Sequence, residues 1–303
     1  MEYPKISIIT PSYNQGKFLE ETINSILSQN YPQLEYIIID GGSSDNSVDI
    51  IKKYEKYLTY WVSEKDNGQS HAINKGLIKA TGEVFNWINS DDFLEKDSLK
   101  TIGEYFACNK EINLLCGFTR IFDNETNSTI QYYRMGIKNT PEETIVKPYM
   151  NQMGSFFRMN VIKEMGLLNE GLHFVMDLEL WLKYIFRYGF EGIVFTDKFL
   201  AQFRSHGNCK SINNSEEMLN ERAMLFYHIA KQIGTPDYIV KELRKDINGD
   251  NYYNSDDWFL ENNIATNKIS AYFCNNYVQH FYENRQYNEA KEAFSYCMEN
   301  LNI

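Results

Sequence analysis

No apolar run in the 303 residues is long enough to cross a bilayer: stretches such as Tyr36-Ile37-Ile38-Ile39 stop after a few residues, where roughly 20 are needed. The N-terminus lacks a basic segment followed by an apolar one, so export by a cleaved signal peptide is not expected. Cysteine is scarce. The five (Cys108, Cys116, Cys209, Cys274, Cys297) are odd in number and form no Cys-x-x-Cys pair. That pattern excludes a disulfide framework or a cysteine zinc site and points to free thiols in a reducing cytoplasm. Positive charge is also short: 30 Lys and Arg stand against 41 Asp and Glu, for a net charge of −11. A surface that acidic repels polyphosphate, so no nucleic-acid partner is expected. A small acidic ligand would need a metal or backbone N–H groups to mask its charge. What the chain does have is apolar mass, 43% hydrophobic, which supports a large core and excludes disorder.

Strand and helix signals alternate over the first hundred residues. Lys5 to Thr10 is a short apolar strand that Pro11 is expected to end. Lys17 to Gln29 carries Phe18, Leu19, Ile23, Ile26 and Leu27 at helical spacing. Further strands are expected at Leu34–Ile39, Leu58–Ser63 and Val84–Ile88, with helices at Val48–Tyr57, Ser70–Ala80 and Lys96–Asn109. This rhythm predicts an α/β fold with a mostly parallel central sheet and helices on both faces. From about Ile112 the strands look antiparallel, and after Ser211 the chain becomes helical and more acidic. A boundary is therefore expected near residue 213, dividing 1–212 from a helical extension, 213–303. Within the extension, Ala271–Asn300 reads as a helical hairpin broken near Asn284-Arg285-Gln286, and Tyr252-Tyr253 with Trp258-Phe259 as core first, with a dimer contact or an acceptor wall as alternatives.

Ligands of such sheets bind beyond the carboxyl ends of the strands. Four polar clusters fall there in succession: Ser12-Tyr13-Asn14, Asp40-Gly41-Gly42, Asp66 and Asp91-Asp92. Adjacent carboxylates repel unless something positive lies beside them, and Mg²⁺ or Mn²⁺ does this with oxygen ligands shared with phosphates. The plain alternative for Asp92 is a cap on the helix that follows. For Asp40 it is a tight strand-to-helix turn, which explains the glycines but not the carboxylate. Tyr13 offers a stacking face or simple loop packing. Asp177 precedes the apolar helix Leu178–Ile185 and is either its N-terminal cap or a general base. His206 follows an apolar segment and is either a structural hydrogen bonder or a ligand.

Together these segments resemble the inverting family 2 glycosyltransferases of the GT-A fold, which build bacterial surface polysaccharides. The resemblance rests on Thr10-Pro11-Ser12-Tyr13-Asn14, Asp40-Gly41-Gly42-Ser43-Ser44-Asp45, the run Asp66-x-Gly68-Gln69-x-x-Ala72-x-Asn74-Lys75-Gly76, Trp87-Ile88-Asn89-Ser90-Asp91-Asp92 and Asp177-Leu178-Glu179-Leu180-Trp181-Leu182. These fall in the family's order over residues 5 to 210. The resemblance implies that Pro11, Tyr13 and Asn14 line a nucleotide pocket with Asp40 and Asp66, and that Asp91 contacts the ribose or sugar. It implies Asp92 as the metal ligand, completed by His206, and Asp177 as the catalytic base. The cofactor would be Mn²⁺ or Mg²⁺, the donor a nucleotide-sugar and most commonly a UDP-sugar. The acceptor would be a glycan or lipid-linked oligosaccharide. The commonest form of the acidic motif starts with Asp, where this chain has Asn89, and the base motif often reads Glu-Asp, where it has Met176-Asp177. The expected setting is cytoplasmic, with peripheral contact at the inner face of the cell membrane and self-association through the C-terminal helices.

Three other functions are weaker. A dinucleotide-dependent oxidoreductase would need Gly-x-Gly-x-x-Gly after the first strand, which here reads Pro11-Ser12-Tyr13-Asn14-Gln15-Gly16. A glycosidase would need its carboxylates on either side of a glycosidic bond, which adjacent Asp91 and Asp92 cannot provide. A catalytically silent sugar-nucleotide-binding or scaffold protein would share the fold, but Asp92 and Asp177 argue against it.

Overall fold

A computed structural model of the chain describes residues 2–207, 209–249 and 264–301. The aromatic segment Tyr252 to Phe259 lies outside the described residues. In chain order the strands are β1 (Ile6–Ser12), β2 (Leu34–Asp40), β3 (Tyr60–Ser63), β4 (Val84–Trp87), β5 (Phe93–Leu94), β6 (Leu114–Asp123), β7 (Thr129–Tyr133), β8 (Ser155–Arg158) and β9 (Ile193–Ser205). The first helices are α1 (Leu19–Leu27), α2 (Ser47–Tyr54), α3 (Gln69–Lys79) and α4 (Ser98–Cys108), followed by α5 (Pro141–Val146), α6 (Met159–Met165) and α7 (Met176–Tyr188). The rest are α8 (Lys210–Asn213), α9 (Ser215–Gln232), α10 (Asp237–Lys245), α11 (Thr266–Glu283) and α12 (Tyr287–Leu301).

The chain forms two compact units that alternate along the sequence. The first comprises 1–135, 150–176 and 191–209 and holds every described strand; the second comprises 136–149, 177–190 and 210–303. The expected boundary at 212/213 lies close to the last of these crossings. Segments 136–149 and 177–190 belong to the second unit as well, which the composition does not signal.

In the first unit the strand order is β3-β2-β1-β4-β8-β6-β9-β5, with β7 on β6. β3, β2, β1 and β4 are parallel neighbours, as the alternating sequence predicts. β8 then enters antiparallel between β4 and β6, and β9 runs parallel to β6. Every residue of β1 is buried, as a parallel strand covered on both faces should be. One face of the sheet packs Ile6, Ile8, Tyr36 and Ile38 against Leu19, Ile23 and Ile26 of α1 and Ile51 of α2. On the other face α3 lies over β1 and β2.

Pro11 does not end β1, which continues to Ser12 in register with Asp40. Pairing with β4 has already stopped at Ile9 and Trp87, so the N–H that proline lacks costs no ladder bond on that side. The start of β4 is fixed by a polar knot. Glu35 accepts hydrogen bonds from Ser7 Oγ at 2.5 Å, Thr81 N at 2.7 Å and Thr81 Oγ1 at 2.7 Å, and pairs with Lys5 Nζ at 2.8 Å. Gly82 N donates to Ser7 Oγ, and a Cβ at Gly82 would lie 2.4 Å from that oxygen, so only glycine fits.

In the second unit α5 packs on α11, and α11 packs along α12 as the expected hairpin. The break falls at Asn284-Arg285-Gln286, where Arg285 has φ +60°. All five cysteines are free thiols, Cys108 exposed and the others buried.

Candidate active site

Because β3, β2, β1 and β4 are parallel neighbours, the loops that follow them line one edge of the sheet in that order. The loop after β1 is knitted to the loop after β2. Asn14, at φ +53°, donates its N–H to Ser43 Oγ at 2.8 Å, and its Oδ1 accepts from Ser44 N at 2.8 Å. Gln15 N and Gly16 N donate to Ser47 Oγ and Asp45 Oδ2. Tyr13 beside this loop is 62% exposed, while Pro11 is buried in the strand below.

Asp40 is fully buried at the end of β2. Its Oδ2 accepts from Gly42 N, Ser43 N and Ser63 Oγ at 3.1, 2.9 and 2.7 Å, and its Oδ1 from Ser43 Oγ at 2.5 Å. This carboxylate shapes the turn and ties it to β3. The side chain of Asp66 reaches the same place: a Cβ on Gly41 would lie 2.7 Å from Asp66 Oδ2. Gly41 therefore lets the Asp66 carboxylate lie against the turn after β2, and Asp66 Oδ1 accepts from Gly68 N ahead of α3.

The two aspartates after β4 have opposite surroundings. Asp91 is partly exposed, and its Oδ2 lies 3.1 Å from Nε2 of His206, which follows β9. Asp92 is buried, with Oδ1 accepting from Arg204 N at 3.0 Å and Oδ2 from Asn89 Nδ2 at 3.2 Å. Burial, then the adjacent Asp91 charge, pushes the Asp92 carboxyl well above the usual range, against the bonds from Arg204 and Asn89. Asp92 does not cap α4 either, since the residue flanking that helix is Asp97. Asn89 accepts from Gln69 Nε2 at 2.8 Å, so the residue in place of the usual first aspartate links the α3 terminus to Asp92.

Among the described residues, the group whose donor atoms converge as metal ligands would is Asp91, His206 and Cys209, all within 4.8 Å of one another. The sequence resemblance assigns Asp92 as the ligand, whereas the structure sets Asp91 beside His206 and turns Asp92 inward. Cys209 donates its S–H to Arg204 O at 3.1 Å, and burial pushes the thiol up to about 11, so it stays protonated near neutrality. The remaining donors, a carboxylate oxygen and an imidazole nitrogen, could hold a divalent cation.

Asp177 belongs to the second unit. It lies in the first turn of α7, one residue inside the helix rather than flanking it, and its Oδ1 accepts from Leu178 N at 2.8 Å. Burial raises its pKa, opposed by the Leu178 N–H and the Lys210 charge. Glu179, two residues on, is buried and paired with Lys183 at 3.2 Å.

Sequence reasoning missed Cys209 and Arg204. Their one signal is position, on either side of His206 at the end of an apolar segment.

The profile of Glycosyl transferase family 2 matches residues 7–166. The glycosyltransferase GlyG of Streptococcus pneumoniae is 28% identical over 158 residues, 51% of this chain and 52% of its own, so the match spans about half of that relative. A fragment of S. aureus TarS in complex with UDP-GlcNAc superposes with a TM-score of 0.62 at 18% identity, over 91% of this chain and 72% of that one. The mannosyltransferase PcManGT of Pyrobaculum calidifontis, in complex with GDP-Man and Mn²⁺, does so with a TM-score of 0.54 at 16% identity, over 99% and 85%. Both structures share the fold.

Proposed function

The chain belongs to glycosyl transferase family 2, and from that premise we propose that it transfers a sugar from a nucleotide-sugar donor, a UDP-sugar first among them, to a hydroxyl of a glycan or lipid-linked oligosaccharide in surface polysaccharide synthesis. The observation that carries the reading is the Asp91–His206 pair at the same sheet edge as the interlocked loops after β1, β2 and β3.

In this reading Tyr13 stacks on the base, Asn14 and Asp66 line the pocket, and the buried Pro11 and Asp40 shape the turns beneath it. Asp91 and His206 would hold a divalent cation, Mn²⁺ or Mg²⁺, and Asp92 holds the turn. The cation supplies Lewis-acid stabilisation of charge on the departing diphosphate. Asp177 takes the proton from the acceptor hydroxyl as its oxygen bonds to the anomeric carbon. The bond from that carbon to the diphosphate oxygen breaks on the opposite face, its electron pair leaving with the diphosphate. A single displacement of this kind inverts the anomeric configuration.

The test is a thermal-shift panel of UDP, GDP, dTDP and CMP, each with and without Mn²⁺, on the wild type and on Asp91→Asn and His206→Ala. A ligand at 100 times its Kd adds about 2.7 kcal/mol to the folded state. One nucleotide should raise the melting temperature in a metal-dependent way that both variants lose. Stabilisation that ignores metal, or survives in both variants, removes the metal role. No response to any nucleotide favours the silent scaffold.

A further inference from the structure

We infer that Arg204 is a positioning residue that fixes Asp91 against His206; the inference rests on the donor-site reading above. Asp91 and His206 lie just beyond a two-rung antiparallel ladder, in which Phe93 and Leu94 of β5 pair with Gln202 and Ala201 of β9. That ladder brings the two segments together but stops short of both side chains. Arg204, two residues before His206, makes the tie to the Asp91 turn itself. Its N–H donates to Asp92 Oδ1 at 3.0 Å, and its guanidinium Nε donates to the carbonyl of Asp91 at 2.9 Å. The strand that carries His206 thus grips the turn that carries Asp91 through both main chain and side chain.

The guanidinium is itself held from every side. Its Nη1 donates to Asn124 Oδ1 at 2.8 Å, and its Nη2 is paired with Glu21 of α1. Its Cζ lies 4.9, 5.2 and 5.4 Å from the ring centroids of Phe18, Phe93 and Phe122. Phe18 also packs on His206, with ring centroids 4.5 Å apart. From the other side Thr22 Oγ1 donates to the carbonyls of Ser90 and Asp92 at 3.0 and 2.7 Å. A planar fork with five donors can bind Asp91, Asn124 and Glu21 together, which a lysine ammonium on a flexible stem cannot do. The charge and the aromatic packing alone would be served by either residue. The geometry therefore uses the fork.

Partners that orient a metal ligand without touching the metal are worth about 10- to 100-fold in affinity. The experiment titrates Mn²⁺ into the full chain, alone and with UDP, following free Mn²⁺ by its EPR signal, with melting temperature recorded alongside. The proteins are the wild type, Arg204→Lys and Asn124→Ala. We expect Arg204→Lys to weaken Mn²⁺ binding about 10-fold or more. Asn124→Ala, which frees one arm of the fork, should weaken it by a smaller factor in the same direction. A folded Arg204→Lys protein with wild-type Mn²⁺ affinity overturns the inference. If Arg204→Lys does not fold, unchanged affinity in Asn124→Ala overturns it instead. A wild type that retains no Mn²⁺ with or without UDP overturns the donor-site reading itself, and this inference with it.

Discussion

A carboxylate that removes a proton from a sugar hydroxyl must be ionised at working pH yet more basic than one in water. Asp177, the base in the function proposed above, would meet the second condition because burial raises its pKa, and the Leu178 N–H and the Lys210 charge limit the rise. The sign of the pH effect follows: the base form is needed, so turnover falls as pH drops through the raised pKa. The acid limb of kcat should therefore lie above the usual aspartate value of about 3.9. Asp177→Asn should cost on the order of 10² to 10⁴ in kcat and leave nucleotide binding by thermal shift intact. Measured kcat against pH decides it, since undiminished turnover in the variant takes Asp177 out of the mechanism. At this scale the sequence was partly legible. It marks Asp91-Asp92 as a site because two adjacent carboxylates after a buried strand are costly without a purpose. It does not say which one faces His206, because that depends on how the turn after β4 is held by Arg204, Asn89 and Thr22, residues far apart in the chain.

Elements were legible wherever the local period was clean. Apart from the two-residue β5, which the sequence does not signal, the strands and helices up to α4 lie within a few residues of their expected ends, since each strand of the parallel half is a short apolar run bounded by turn residues. β9 was not recognised as a strand. Opposite it, β6 advances from Cys116 to Thr119 while β9 advances from Phe195 to Ala201, so bulged residues destroy the alternation that marks a strand. The knot around Glu35 is also invisible in sequence, because its partners come from two distant segments, Lys5 with Ser7 at the start of β1 and Thr81 ahead of β4. Burial alone would raise the Glu35 carboxyl, but bonds from Lys5, Ser7 and Thr81 bring it down to about 2 from an ordinary 4.5. A carboxyl depressed on folding stabilises the fold above its unfolded pKa, and that stability is lost as pH falls towards the folded value. Lys5 is 39% exposed, so solvent weakens its share. Glu35→Gln should cost roughly 1–2 kcal/mol at pH 7, with the gap from wild type closing between about pH 4.5 and pH 2. Urea unfolding at pH 7, 4 and 3 reads this directly, and a gap independent of pH would assign the loss to packing instead of charge.

For the whole molecule the decisive fact is that the two units alternate along the chain. Composition changes after Ser211, which suggests one cut and an N-terminal domain, 1–212, that stands alone. Yet 136–149 and 177–190 fold with 210–303, and α5 packs on α11, with Thr140 Oγ1 3.5 Å from Tyr272 Oη. A 1–212 fragment keeps α5 and loses α11. Fully uncovering a side chain such as the buried Ile145 costs about 1.5–3 kcal/mol. A few such losses are large against a total stability of about 5–15 kcal/mol. The segments 136–149 and 177–190 of the fragment should therefore unfold well below the full chain's melting temperature or aggregate, even though the fragment retains Asp91, His206 and Asp177. Differential scanning calorimetry of the two proteins side by side provides the check. A cooperative transition at the full-length temperature, with the nucleotide response kept, would mean that the helices beyond 212 are a true extension. The segments at 136–149 and 177–190 would then hold their structure without them.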